Sequence, residues 1–223
     1  MSSALEATVS DLPLAGNYFA GNDYLHAEPK SGMLRNRGGV RMVALPDDLL
    51  AGIYNAIEEV AGAKAGDVQA AIGRRWGGGA AEYFARELQA FYGKPLAELP
   101  FGVAVTAMRS AFRAHGWGIL HLDSSRYATG ILVAELHHPV VGSDVRRSGQ
   151  KVETITAGYL AAFLSNWAGR ELGCVQTTGP SADAPLSRFV ITIPQRLSLI
   201  RELADAGSPH DEIIAKLEST PAE

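Results

Sequence analysis

The stretch Ser110-Ala-Phe-Arg-Ala-His-Gly-Trp-Gly-Ile-Leu-His-Leu-Asp123 decides how the chain is read. Before it, apolar residues recur at helical spacing; after it, they alternate as they do in a strand. Trp117, Ile119, His121 and Asp123 fall on one face of that strand, and Leu120 and Leu122 on the other. Between the two patterns His115 and Trp117 are each followed by a glycine. His115-Gly-Trp-Gly118 therefore has two readings. In one, Gly116 and Gly118 turn the chain tightly from helix into strand and Trp117 packs over the core. In the other, His115 and Trp117 stand at the mouth of a pocket.

Working outward, the Pro and Asp residues of Leu45-Pro-Asp-Asp-Leu-Leu50 mark a helix start. Leu49, Leu50, Ile53, Ile57 and Val60 carry its apolar stripe up to Gly62. A second helical pattern covers 65–92 and holds Gly77-Gly-Gly79. Glycine costs about 1 kcal/mol against alanine in a helix interior, so the triplet predicts either a break or a very close approach of something to the backbone. Pro95 is expected to open a third helix through Val103, Val105, Met108 and Phe112. Strands are expected at 117–123 and 129–137, followed by a Gly-containing loop over 142–150 and a helix over 152–170. Two more strands are expected at 171–177 and 186–193. The last helical segment, 196–217, is interrupted at Gly207-Ser-Pro209, with Ser208 as its cap and Pro209 in the first turn. This order predicts an α+β fold in which an antiparallel sheet of about four strands packs against helices. The expected organisation is a tail at 1–15, one domain at 16–193 and a helical extension at 194–223.

The composition excludes several classes. Twenty basic against 24 acidic residues give −4, which argues against a nucleic-acid binder and its concentrated basic face. Arg35, Arg37 and Arg41 read as a solvated hairpin. A single cysteine, Cys174, forms no internal disulfide. The N-terminus lacks the pattern of a secretory signal. The most apolar run, 155–167, is 13 residues long, short of the roughly 20 that span a bilayer. A cytoplasmic protein without a transmembrane segment is the expectation.

Recognisable chemistry is sparse. The Gly-rich run 73–79 lies in a helical pattern, without the strand context of a dinucleotide or P-loop site. The six histidines show no metal-ligand spacing. His137 or His138 is placed to meet His121 across the hairpin. No nucleophile motif surrounds any serine or Cys174, so no catalytic residue is assigned. What remains is a set of aromatics beside glycines, which is one way to leave room for a flat apolar ligand. The candidate ligand-binding residues are Trp76, Tyr83, Phe84, Phe163 and Trp167, with His115 and Trp117 at the mouth. There His115 would donate a hydrogen bond or act as an axial metal ligand.

Taken together, Ile72-Gly-Arg-Arg-Trp-Gly77, His115-Gly-Trp-Gly118, Ala157–Leu164 with Trp167-Ala-Gly-Arg170, and Gly179 with Ser187-Arg-Phe-Val190 resemble the 4-vinyl reductase domain family. The opening Gly16-Asn-Tyr-Phe19, Asp23-Tyr24, Arg35-Asn-Arg37 and Arg41 look like a subgroup from photosynthetic bacteria. The resemblance implies a small α+β domain related to the TRAPP vesicle-tethering subunits, binding a hydrocarbon or a tetrapyrrole. Metal-binding members carry an acidic residue and cysteines around the last hairpin. Here Gln176-Thr-Thr178 and Ser187-Arg-Phe189 stand in those places, so the family's zinc site is not expected. A fainter resemblance joins the Gly-Trp-Gly region to the D subunit of bacterial cellulose synthase, an accessory factor.

Three functions follow as expectations. The first is a non-catalytic module that binds a hydrophobic small molecule, a tetrapyrrole or its precursor, and acts as a carrier or assembly factor. The second is a self-associating scaffold, a homodimer or larger, or an accessory subunit of a photosynthetic or cellulose-synthase complex, with the Leu49–Val60 face as interface. The third is a vinyl reductase, for which no dinucleotide fingerprint is visible.

Overall fold

The computed structural model describes residues 16, 18–19, 24–140, 151–181 and 185–220. The tail at 1–15 and the loop at 142–150 lie outside these residues. The fold is α+β. A four-stranded antiparallel sheet is built from β4 (Ile119–Asp123), β5 (Leu132–His137), β6 (Gly173–Thr178) and β7 (Leu186–Thr192), in the order β4-β5-β7-β6. A separate three-stranded meander precedes it: β1 (Leu25–Glu28), β2 (Met33–Asn36) and β3 (Arg41–Met42). Of this meander the sequence reading anticipated only the hairpin at Arg35, Arg37 and Arg41; the rest went unseen because its strands are short and only half-buried, with little apolar alternation. Arg35 and Arg41 are direct partners in its second hairpin.

Strand alternation in the larger sheet separates two cores. Leu120, Ala134, Leu136, Phe189 and Ile191 point to one face, under α2 (Ala65–Tyr92), α3 (Phe101–Ala114) and α4 (Thr154–Ala168). Val133 and Val190 point to the other face, where Ile200 of α5 (Leu197–Asp205) and Ile213, Ile214 and Leu217 of α6 (His210–Ser219) cover them. α1 (Asp47–Ala61) lies against α2 and buries Tyr54, whose hydroxyl accepts from the Ile155 amide.

The glycine triplet does not break its helix: α2 runs unbroken through all 28 residues. Of the two readings, close approach holds, and it centres on Gly73 and on Gly77, the first of the triplet, not on Gly78 or Gly79. A Cβ on Gly77 would lie 2.3 Å from the Tyr159 carbonyl oxygen, and one on Gly73 would lie 2.1 Å from that of Ile155. One on Gly158 would meet the Ala70 carbonyl at 2.6 Å. α2 and α4 therefore cross with their backbones in contact, a separation only glycine permits. Two boundaries also shift. α3 starts after Pro100, not Pro95, which precedes only a short 3-10 turn over Leu96–Glu98. At α6 the capping position belongs to Pro209, and Ser208 makes no capping bond there.

Gly77→Ala is expected to lower stability by about 1–3 kcal/mol, the usual cost of overpacking. Gly78→Ala, where a Cβ meets nothing within 4 Å, should raise it by about 0.5–1 kcal/mol. Thermal melts of the two variants should move in opposite directions; a Gly77→Ala protein as stable as wild type would disprove the backbone contact.

Candidate functional site

The Gly-Trp-Gly stretch is a turn and also part of a cavity wall. The amide of Trp117 donates to Phe112 O and that of Gly116 to Arg113 O, which is a Schellman ending for α3 with Gly116 at φ 73°. Its accompanying apolar contact is Trp117 edge-on to Phe112, with ring centroids 5.3 Å apart. Past the turn, a Cβ on Gly118 would lie 2.5 Å from His137 O, so that residue too is fixed as glycine.

Between α2, the end of α3, the middle of α4 and the meander lies a cavity of about 430 Å³. Trp76, Tyr83, Phe84, His115, Trp117 and Phe163 line it. Trp76 and Tyr83, 43% and 48% exposed, form its rim. Trp167 is not in this wall; it stacks on Phe101 with centroids 5.5 Å apart. Trp117 meets Trp76 at 4.7 Å and Tyr159 at 5.6 Å, and Phe163 stacks on Tyr159 at 5.6 Å. Edge and offset contacts of this kind are worth about 0.5–1.5 kcal/mol each beyond their burial, so they hold the wall in one arrangement.

One side of the cavity is polar. His115 Nδ1 lies 2.6 Å from Ala111 O, and only an N–H can meet a carbonyl there. The free lone pair is therefore on Nε2, which accepts from the Tyr24 hydroxyl at 3.3 Å. Burial holds the His115 pKa below the ordinary imidazole value, favouring the neutral ring, which also stacks on Trp117 at 4.6 Å. The Tyr24 oxygen accepts from Asn36 Nδ2 at 3.4 Å, and that amide also donates to Glu87 Oε1 at 2.6 Å. Asn36 Oδ1 accepts from the Val40 amide at 2.9 Å. Burial raises Tyr24 to about 12 and raises Glu87 above the usual carboxylate value. Tyr24 and Asn36 figured in the sequence only as part of a family pattern, and Glu87 not at all. The signal for Glu87 is its place on the apolar face of α2 shared by Ala80, Phe84 and Leu88, where an acid needs a partner.

The positions that bind metal in the resembling family come together differently here. The buried Glu153 carboxyl accepts from Ser187 Oγ and, at 3.4 Å, from Gln176 Nε2, while Gln176 Oε1 accepts from the Glu153 amide at 2.9 Å. Gln176 Nε2 also donates to Thr178 O at 3.2 Å. One carboxyl, an amide and a hydroxyl do not make a zinc donor set. Instead they tie the start of α4 to the β6–β7 hairpin. Cys174 stands apart on β6, its thiol pKa pushed up by burial. Among the described residues no three His, Cys, Asp or Glu side chains gather to hold a metal ion. His137 does meet His121, with ring centroids 5.3 Å apart. No helix of the described residues is long and apolar enough to cross a membrane.

No protein-family model matches this sequence, and no curated protein does. The fold, however, is shared. The phenol-responsive sensory domain of the transcription activator PoxR, crystallised with phenol, superposes with a TM-score of 0.60 over 93% of this chain and 94% of that one, at 17% identity. Trafficking protein particle complex subunit 3 from Naegleria fowleri, covalently bound to palmitic acid, gives a TM-score of 0.45 over 66% of this chain and 93% of its own, at 11% identity. The first likeness shows the fold alone, an α+β domain folded like that of PoxR.

The buried carboxyl of Glu153 gives a pH test. Burial raises its pKa from the ordinary 4.5 to about 7. The folded state then holds the proton more tightly than the unfolded chain. The stability this contributes is full below about pH 4.5 and is lost as pH rises through about 7. Glu153→Gln should remove that decline and gain on the order of 2 kcal/mol over wild type at pH 8. His115 and His210, whose pKa values burial lowers, act in the opposite sense below about pH 6.5. The difference between the two proteins in melts from pH 5 to 8 isolates Glu153; parallel curves would refute the assignment.

Proposed function

We propose that this chain is a non-catalytic binding module for a hydrophobic small molecule carrying a hydrogen-bonding group. The observation that carries the reading is the aromatic cavity with a polar end at Tyr24 and His115. Sites for small molecules are concave and mostly apolar, with a few placed polar groups. The neutral Nε2 of His115 offers a lone pair, so the favoured occupant brings a donor, a hydroxyl or an N–H, that takes the place of the Tyr24 hydroxyl. The shared fold supports this reading, since the PoxR domain was crystallised with phenol.

Size narrows the occupant. An engineered cavity of about 150 Å³ holds one benzene, so about 430 Å³ suits a molecule of two or three rings. A tetrapyrrole or its precursor, with the chain as carrier or assembly factor, is the larger occupant the family resemblance suggests. It would project past Trp76 and Tyr83, and His115 would serve its metal only after leaving Tyr24. A second reading, a self-associating accessory subunit, is favoured by Leu49, Ile53 and Val60 on α1, which stay 45%, 39% and 87% exposed. Light scattering checks it: a dimer that Ile53→Asp dissociates supports it, and a monomer at high micromolar concentration rejects it.

Titration of the purified protein with 2-naphthol and with a porphyrin, read by quenching of tryptophan fluorescence, tests the pocket. Saturable binding of the naphthol is expected. Gly79 lines the cavity, and a Cβ there meets nothing within 4 Å. Gly79→Leu should therefore fold normally and weaken binding at least about tenfold by filling the space. Tighter binding of the porphyrin would favour the tetrapyrrole form; no binding of either, or binding untouched by Gly79→Leu, would reject the pocket.

A further inference from the structure

Two arginines stand side by side on α2, and the crossing with α4 sends them to different places. Arg74 borders a cleft lined by α4, β6 and α5, whereas Arg75 borders the aromatic cavity. Arg75 is exposed and makes no hydrogen bond or ion pair with any described residue. The other arginine near the rim, Arg86, is already spent on the Tyr83 ring, 4.6 Å from its centroid. At the far end of the same wall is Glu87, twelve residues further along α2. At 1.5 Å per residue their backbone positions stand on the order of 18 Å apart along the helix axis. The cavity is thus polarised, with a cation unpaired among the described residues at one end and acceptors, Glu87 and the His115 lone pair, at the other.

We propose that the ligand is an aromatic acid carrying a hydrogen-bond donor at its opposite end, with Arg75 holding the carboxylate at the rim. The proposal rests on the pocket reading above and specifies its ligand. A planar guanidinium binds a carboxylate through two parallel hydrogen bonds, a match that lysine does not reproduce. Glu87 repels the same carboxylate, so the two charges fix the ligand's direction. Its hydroxyl end is delivered to Tyr24 and His115 while its ring lies between Trp76, Trp117 and Phe163. A neutral phenol of the same length would keep the ring contacts and the donor and lose the rim interaction.

The test uses 4-hydroxycinnamate and its primary amide, which match in shape and differ in charge, titrated by calorimetry into wild type, Arg75→Gln and Arg74→Gln at neutral pH and low salt. Wild type is expected to bind the acid on the order of tenfold more tightly than the amide, as a partly exposed charge-assisted pair allows. Added salt should narrow that preference. Arg75→Gln should abolish the preference and leave the amide's affinity within about twofold, while Arg74→Gln keeps it. Equal binding of acid and amide by wild type, or a preference that survives Arg75→Gln, overturns the proposal and leaves the pocket standing. Failure of both compounds to bind overturns the proposal, and the 2-naphthol titration then decides whether the pocket reading falls with it. A circular dichroism spectrum and melt identical to wild type establishes that Arg75→Gln is folded.

Discussion

α2 and α4 touch backbone to backbone, and the rest of the molecule is arranged around that crossing. Gly73 and Gly77 on one helix and Gly158 on the other remove the side chains that would hold the axes apart. Helices this close cannot slide without a carbonyl striking an α-carbon. What projects from their flanks is therefore fixed: Trp76, Ala80 and Phe84 from α2, Tyr159 and Phe163 from α4. The aromatic wall has its shape because the helices behind it have almost no width. The larger sheet supports the crossing from beneath, through Leu120, Leu136 and Phe189, and on its other face a second, smaller core seals α5 and α6 against it.

Much of this was written in the sequence, unevenly. Apolar periodicity gave α1, α2, α4 and the last two helices, and alternation gave the four strands of the larger sheet, because each element buries one face against a large partner. The glycines of α2 were legible as a sign of either rupture or contact, but not as to which, since a helix partner distant in sequence decides it. The meander was legible only in its second hairpin, because its strands are short and depend on their own turns rather than on an apolar stripe. The aromatic residues of the cavity were visible as aromatics next to glycines, Trp167 being the one that packs elsewhere. The polar partners were harder. Tyr24, Asn36, Glu87 and His115 lie in four separate segments, and only tertiary structure joins them. Glu153 stayed hidden for the same reason, its two partners lying on β6 and β7.

The turn that opened the reading shows how one short segment serves two ends. Because Trp117 follows the glycine that closes α3, its ring is pinned to Phe112 as part of the helix ending. His115 caps the C-terminal end of α3 and reaches back to Ala111, which sets its tautomer. A helix terminus thereby supplies both the face of the cavity and its hydrogen-bond acceptor, and neither depends on a loop that must be ordered separately.

The meander has a consequence for how anything enters. It contributes Tyr24, Asn36 and Met42 to the cavity wall, yet it belongs to neither sheet face and leaves most of its own residues exposed. Two of its attachments to the body are the Tyr24 and Asn36 side chains, which reach His115 and Glu87. A unit with few buried contacts opens at a small fraction of the free energy of global unfolding. Lifting the meander would uncover the aromatic wall and leave the α2–α4 crossing and both faces of the larger sheet untouched. Beside the exposed rim at Trp76 and Tyr83, the cavity would thus have a second, local way of being uncovered, one whose cost is separate from the stability of the domain.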